Sequence, residues 1–478
     1  MTVVEKINVT PSLCQQMDST LAAQKAAYQA APMPSFEQRK EQLIALKSAL
    51  KKHKTALCQA LEQDYGQRSH QDSLIADIMP SIANINYNLR RLKKWMKPSR
   101  RHAGLMLAPA KVSVHYQPVG VVGIIVPWNF PVTLSLGPLI TAIAAGNRAM
   151  LKLSEFTPAT NRVLKSLLAE AFDGNCVAAF EGEADAAAYF SQLSFDHLIF
   201  TGSTAVGHHV MRAAADNLTP VTLELGGKSP VLIADDIPMN LAVERMIFGK
   251  CMNAGQICVA PDYVLVPEGR EKEFVDEFKR QFNCLYPNGA ANRDFSSVIS
   301  PRQYQRLISW LDEAQSLGAT VHPCHDNARD NEQHRMIPHL LTDVAPEATL
   351  MQQEIFGPLL PVIGYQDLEQ AINYIQERPR PLALYLMSLN VETQERVKLA
   401  THSGGMGINE TVLHVAADDA PFGGIGPSGM GHYHGKEGFL TLSHAKTVLS
   451  RGTFTTAKLI IPPYGRWWQK LMLAFFMR

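Results

Sequence analysis

Three residue types that together make an activated nucleophile stand in restricted backbone settings in this chain. Cys258 lies in Gly255-Gln256-Ile257-Cys258-Val259-Ala260-Pro261-Asp262-Tyr263, with a glycine before it and a proline after. Those two residues restrict the backbone on both sides, so the thiol is expected at a turn rather than inside a regular element. A thiolate is the strongest side-chain nucleophile once a neighbour lowers its pKa or removes its proton. A cysteine taken alone is more often an inert buried one, so the reading depends on its partners. Glu224-Leu225-Gly226-Gly227-Lys228 follows the β-like run Val221-Thr222-Leu223 and places a carboxylate directly before two glycines. Such a carboxylate is free to swing, which suits a general base acting first on a thiol and later on water. Asn129, between Trp128 and Phe130 and flanked by Pro127 and Pro131, is a rigidly placed neutral donor. With a backbone N–H such as that of Cys258, it is what an oxyanion hole requires. Either Asn129 or Glu224 alone could be structural.

Two further segments have the form of ligand-binding turns. Phe200-Thr201-Gly202-Ser203-Thr204-Ala205-Val206-Gly207 ends an expected strand and opens an expected helix. Gly202 and Gly207 would let the backbone approach a pyrophosphate at the helix N-terminus, where free N–H groups favour an anion. The spacing is neither Gly-x-Gly-x-x-Gly nor a P-loop, and an ordinary strand-to-helix turn explains it about as well. Lys152-Leu153-Ser154-Glu155 closes a neighbouring strand, where a lysine and a carboxylate can hold the two hydroxyls of a ribose. In isolation, a solvated loop pair is the commoner meaning of such a motif.

The elements that must position these groups are legible from hydrophobic spacing. Leu43, Leu46, Leu50, Leu57 and Leu61 define an amphipathic helix over Phe36–Leu61. Ile75, Ile78, Ile82, Ile85, Leu89 and Leu92 define a longer one, kinked but not ended by Pro80. Both are assigned to scaffold rather than to a coiled coil. Lys111–Tyr116 alternates as an antiparallel strand with one wet face does, whereas Val119–Val126 is apolar throughout, as a parallel strand covered on both faces is. From there to about residue 260, strand-like runs (Ala149–Leu153, His197–Phe200, Pro230–Ile233) alternate with helical ones such as Asn161–Phe172. That alternation implies a doubly wound α/β sheet with ligands at the carboxyl ends of its strands. Residues 264–450 repeat the texture less regularly, with helices at Glu268–Phe282 and Pro301–Leu317 and a strand at Leu359–Ile363, and are taken as a second α/β domain. Asp326–His334 is expected to be an exposed loop.

The composition bounds the class. A chain of 478 residues needs two or three domains, and 46% hydrophobic with 19% charged residues is ordinary for a globular enzyme. Forty-five basic against 44 acidic residues leave no charge excess to attract nucleic acid. Seven scattered cysteines without a Cys-x-x-Cys pair or zinc spacing imply reduced thiols and no metal site, and so a cytoplasmic setting. The start, MTVVEKINVT, has no signal-peptide pattern, and no run of about 18 apolar residues spans a membrane.

Taken together, the motifs resemble the aldehyde dehydrogenase superfamily over nearly the whole chain. Pro127-Trp128-Asn129-Phe130-Pro131, Lys152-Leu153-Ser154-Glu155, Phe200-Thr201-Gly202-Ser203-Thr204, Glu224-Leu225-Gly226-Gly227-Lys228, Gly255-Gln256-Ile257-Cys258 and Glu354-Ile355-Phe356-Gly357-Pro358 all appear in the family's order. Cys258–Tyr263 and Pro421–Lys436 look like the class 3 branch, and most like its bacterial coniferyl-aldehyde dehydrogenases. Leu153, where the family usually has proline, departs from the pattern without touching a functional group. The resemblance implies two doubly wound α/β domains with a small β oligomerisation element. Residues 1–100 and 119–223 would bind NAD and residues 224–425 would carry the nucleophile. Residues 101–118, paired with the segment after Gly435 within 426–450, would form a dimer, and 451–478 an apolar tail.

It further implies that Cys258 attacks an aldehyde, that Asn129 meets the oxyanion and that Glu224 activates the water that hydrolyses the thioester. Lys152 and Glu155 would hold the adenine ribose. Ser203, with Gly202 and Gly207 around it, would hold the pyrophosphate, and Trp128, Glu354 and Phe356 the nicotinamide end. NAD is expected as cofactor with NADP tolerated. The aldehyde is expected to be aromatic and coniferyl-like, with a medium- or long-chain aliphatic aldehyde as the alternative. A CoA-acylating enzyme is disfavoured by Glu224, and a silent scaffold by the joint presence of Cys258, Glu224 and Asn129. In the tail, Trp467, Trp468, Leu471, Met472, Phe475 and Phe476 gather on one side of a helix beside Arg466 and Lys470. Packing onto the subunit or its dimer mate is favoured there over lying in a membrane surface.

Overall fold

The first amphipathic segment forms a helix over Phe36–Tyr65 in the computed structural model, which describes residues 10–456 and 460–477. Ser35 and Gln38 cap it reciprocally, and its leucine stripe is buried. The second segment departs from the expectation of one helix kinked at Pro80. It consists of a short helix His70–Ser73, a wide π-type turn Leu74–Ile78 and a helix Met79–Trp95. Pro80 lies in the first turn of the last piece, where a missing N–H costs nothing. The wide turn rotates the apolar face, so Ile75 is exposed while Ile78, Ile85 and Leu92 are buried. It also aims the buried Asp77 inward, where its carboxylate accepts from Arg68 (2.8 Å) and from the N–H groups of Val132 (3.1 Å) and Thr133 (2.9 Å). These two N–H groups begin the helix Pro131–Ala145, which is buried along nearly its whole length. The loop carrying Asn129 is therefore fixed from below.

A six-stranded sheet runs in the order Gly429–Met430, Val221–Glu224, His197–Thr201, Val121–Ile125, Arg148–Lys152, Val177–Phe180. All its pairings are parallel except that of Gly429–Met430 with Val221–Glu224. Strand order reverses between Val121–Ile125 and His197–Thr201, so the crevice at that switch point opens between Trp128–Asn129 and Gly202–Ser203.

Pro230–Ile233 does not continue this sheet, although the alternation of strand and helix suggests it. It joins a second, seven-stranded sheet between Tyr263–Pro267 and Ala383–Met387. A wholly apolar run satisfies any covered parallel sheet, so periodicity cannot say which one it enters. Ser99–Arg101, Lys111–Pro118 and Ser443–Ser450 form a separate antiparallel sheet whose outer strand Ser443–Ser450 is mostly exposed. Within Asp326–His334 the chain forms one arm of a short hairpin, Arg329–Asp330 pairing with Arg335–Met336.

The tail does form a helix, Trp467–Phe476. Trp467, Leu471 and Phe475 do not pack on the subunit, being 73%, 67% and 63% exposed, whereas Trp468 and Met472 are half-buried. Gln469 is its one buried side chain among the described residues, donating to Ile461 O (3.2 Å) just upstream. The helix is thus seated on its own approach segment through a polar contact.

Candidate active site

The nucleophile turn is held in an unusual conformation. The helix Met239–Cys251 ends, and Asn253, Ala254 and Gly255 take left-handed dihedrals in succession, with φ of 49°, 53° and 72°. Two non-glycine residues there store strain, which persists only where the surroundings over-determine it. Gly255 has room only for hydrogen, since a Cβ would lie 2.6 Å from Gly357 O. The fully buried Gln256 pins the turn: its Nε2 donates to Asn253 O (2.9 Å) and Ser297 O (3.1 Å), and its Oε1 accepts from Ile299 N–H (3.0 Å). Beyond Cys258, Tyr385 donates to Val259 O (2.6 Å) and accepts from Val412 N–H (3.1 Å).

Asn129 meets this turn from the other domain edge. Its backbone carbonyl accepts from Tyr65 (2.8 Å), Asn253 Nδ2 (3.0 Å) and Arg68 (3.3 Å), while its own Nδ2 donates to Gln256 O (3.1 Å). Asn129, Cys258 and Glu224 line one cavity of about 760 Å³, together with Trp128, Gly202, Ser203, Glu354 and Phe356.

Burial disfavours charge on the acids of the cavity. Glu224, at the end of the strand Val221–Glu224, is buried with no partner for either carboxylate oxygen, and burial raises its pKa well above the usual range. Burial and then Asp262 push Glu354 up to about 8, against the Gly227 N–H, Lys228 and Arg306. Burial, then Glu354 and Glu224, push the Cys258 thiol up as well. A Cβ at Gly226 would displace the Glu354 carboxylate. The Glu354 loop is tied down by Asp262, which contacts Lys228 and accepts from Ile355 N–H (2.8 Å), and by Arg306, which donates to Ile355 O (2.8 Å). Trp128 meets Phe356 edge-on at 5.2 Å, and Phe356 is itself left-handed, with φ 48°.

The remaining candidates fall around this cavity unevenly. Ser203 caps the helix Thr204–Ala215, accepting from Val206 N–H (3.4 Å), so that helix N-terminus faces the cavity. Lys152 and Glu155 pair at 3.5 Å at the end of the strand Arg148–Lys152 and are not among the residues lining the cavity. Lys152 is buried, donates to Leu153 O (2.8 Å), and its pKa is lowered by that burial. Gly207 lies within its helix, where a Cβ would come within 2.7 Å of the Leu225 side chain; its role is close packing of helix on strand. Gln303, Arg306, Trp310, Arg378 and Arg380 also line the cavity and escape the motif reading. The signals available for them were Arg306 and Trp310 four apart on one helix, and the basic run Arg378-Pro379-Arg380-Pro381.

These residues fit a dinucleotide: a helix N-terminus ready for an anion, and a crevice at the switch point lined by carboxyl groups and a thiol. Residues 5–448 match the aldehyde dehydrogenase family, to which the chain belongs. It is an NAD(P)-dependent aldehyde dehydrogenase, and family 3 members from plants are among its relatives. A probable coniferyl aldehyde dehydrogenase of Pseudomonas aeruginosa is 54% identical over 463 residues, 97% of each chain. The substrate-bound AldH of Staphylococcus aureus superposes with a TM-score of 0.91 at 38% identity, covering 96% of this chain and 99% of that one. An aldehyde dehydrogenase of Mycobacterium tuberculosis complexed with NAD+ gives 0.83 at 28%, covering 93% and 92%.

Proposed function

We propose that this enzyme oxidises an aromatic, coniferyl-type aldehyde to its carboxylic acid through a covalent intermediate on Cys258. The observation that carries the reading is the convergence of a thiol, a buried unpartnered carboxylate and an anchored amide on one cavity. Glu224 takes the thiol proton, the sulfur adds to the aldehyde carbon, and the oxyanion of the thiohemiacetal is met by Asn129 Nδ2 and the Cys258 N–H. When bound, the nicotinamide supplies the hydride acceptor; Trp128, Glu354 and Phe356 would hold that end, Ser203 and Gly202 the pyrophosphate, and Lys152 with Glu155 the ribose. Glu224 then deprotonates a water that attacks the thioester, and the Cys258 thiolate leaves.

The rings beside the nucleophile turn pack on one another and do not line the cavity. Tyr385, His414, Phe422, His434 and Tyr433 form a continuous chain of contacts with centroids 4.7–6.2 Å apart. An aromatic substrate is supported by the name of the Pseudomonas relative. Dimerisation through the exposed strand Ser443–Ser450 fits the same reading, since an unpaired edge invites a second copy.

The tests are direct. Cys258→Ala should abolish aldehyde-dependent NADH formation while retaining NAD binding. Glu224→Gln should give a burst of NADH followed by a slow steady state. Substantial turnover by the alanine variant removes the nucleophile assignment. Across aldehydes, kcat/KM should favour aromatic over straight-chain substrates; the reverse order selects the aliphatic alternative.

A further inference from the structure

Glu224 collects a proton in each half of the reaction just described, yet its carboxylate is buried and makes no hydrogen bond to another described residue. A base in that position stalls after one use unless something removes the proton. The strand Gly429–Met430 brings a candidate alongside. Gly429 pairs with Glu224 and Met430 with Leu223, and two residues further on stands His432. At Gly423 the point a Cβ would occupy is bounded by His432 Nδ1 at 2.5 Å, Glu224 Oε1 at 3.3 Å and the Gly431 carbonyl. The Glu224 carboxylate and the His432 imidazole therefore both lie against Gly423, near enough to each other for one water to bridge them. His432 Nδ1 is buried and also unpartnered, while the residue as a whole is only half-buried. One end of the ring therefore faces the base and the rest lies towards the exterior.

We propose that His432 is the proton relay of Glu224. The inference rests on Glu224 acting as the base. When Cys258 is deprotonated, and again when water attacks the thioester, the O–H formed on Glu224 breaks as an N–H forms at His432 Nδ1. The imidazolium then loses the proton at Nε2 to solvent, and exchange with water, which takes the Nδ1 proton and returns one at Nε2, restores the accepting tautomer before the second transfer. Two protons leave per turnover, as oxidation of an aldehyde to a carboxylate with one hydride removed requires. An imidazole suits the task because it changes charge near neutral pH.

The other titratable groups near this point are Cys258 on the nucleophile turn, and Tyr433 and His434 on the same segment as His432. His434 packs between Phe422 and Tyr433, and burial holds its pKa down to about 4, so it stays neutral. Thr222, beside Gly431, is engaged by His197 at 2.9 Å. Phe422, Gly423 and Gly424 contribute no ionisable side chain.

The relay separates the first turnover from later ones. His432→Ala and His432→Asn should keep an NADH burst of near wild-type rate, because Glu224 can store one proton. Steady-state kcat should fall about tenfold or more, with a larger solvent deuterium effect and an altered pH profile across roughly pH 6–9. Added imidazole should restore turnover to the alanine variant. Melting curves on both variants establish that the fold is kept. An unchanged steady state and pH profile overturns the relay. So does a fall in kcat that leaves the pH profile unmoved and does not respond to imidazole, which assigns His432 to packing. If Glu224→Gln is as active as the wild type, the underlying assignment of the base has failed instead.

Discussion

Asn129→Ala isolates oxyanion stabilisation, because the structure separates what this amide does for the fold from what it offers a ligand. Nδ2 carries two hydrogens, and one is engaged by Gln256 O at 3.1 Å. That carbonyl keeps a second donor, Asn253 Nδ2 at 3.3 Å, when the amide is removed. The Asn129 backbone carbonyl, held by Tyr65, Arg68 and Asn253, is untouched by the substitution. The stability cost should therefore be about 1 kcal/mol, that of one shared hydrogen bond without an orphaned partner. The second hydrogen remains for the cavity that Asn129 lines. Removing a preorganised oxyanion donor costs about 10²–10³ in kcat, or roughly 3–4 kcal/mol of transition-state stabilisation. Rapid-mixing measurement should show the burst rate falling by that factor, with kcat/KM falling alongside and substrate binding nearly unchanged. Asn129→Asp should be worse, since a carboxylate repels the developing charge. A folded alanine variant with a burst rate within about fivefold of wild type refutes the oxyanion role.

Other outcomes follow from the same geometry. The Glu354 carboxyl is raised in the fold from 4.5 to about 8, so its neutral form contributes stability that is full below pH 4.5 and lost as pH rises through about 8. Glu354→Gln should flatten that part of the stability profile in thermal melts, and an unaltered slope disproves the assignment. Glu155 is expected to accept the ribose 2′-hydroxyl and repel a 2′-phosphate, so kcat/KM should favour NAD; Lys152 cannot turn freely to a phosphate while buried against Leu153 O and Glu155. A preference for NADP removes that reading. Truncation after Pro463 should leave melting of the isolated subunit nearly unchanged, because the tail helix is exposed; a fall in melting temperature that depends on protein concentration places the helix in a dimer contact, and lost binding to anionic vesicles places it on a membrane surface.

What was legible in the sequence was whatever depends on short-range pattern. The leucine stripe of Phe36–Tyr65 and the all-apolar Val121–Ile125 declare themselves because burial imposes their periods. Cys258, Glu224 and Asn129 could be picked out because proline and glycine neighbours mark unusual backbone. The wide turn Leu74–Ile78 could not, since one extra residue per turn leaves the 3-4 spacing nearly intact while moving Ile75 to the surface. Nor could the transfer of Pro230–Ile233 to the second sheet, because sheet membership is decided by contacts with Tyr263–Pro267 and Ala383–Met387, far along the chain. Arg306 and Trp310 were hidden for the same reason: they reach the cavity only because their helix lies across the Glu354 loop.

The same distinction explains why the site is built from strain and buried acids rather than from exposed charge. Asn253, Ala254 and Phe356 occupy left-handed backbone, with Asn253 donating to the Asn129 carbonyl and Phe356 set edge-on against Trp128. Gln256, Asp262 and Arg306 hold them there through buried hydrogen bonds that involve no ligand. Around the cavity, Glu224, Glu354 and Cys258 are all shifted towards their neutral forms by burial. The same burial that disfavours charge on the three acids also makes the thiol harder to ionise. A cation entering that volume would favour ionisation of each group in turn. Reactivity would then appear only with the cofactor in place, which protects an otherwise accessible thiol between turnovers.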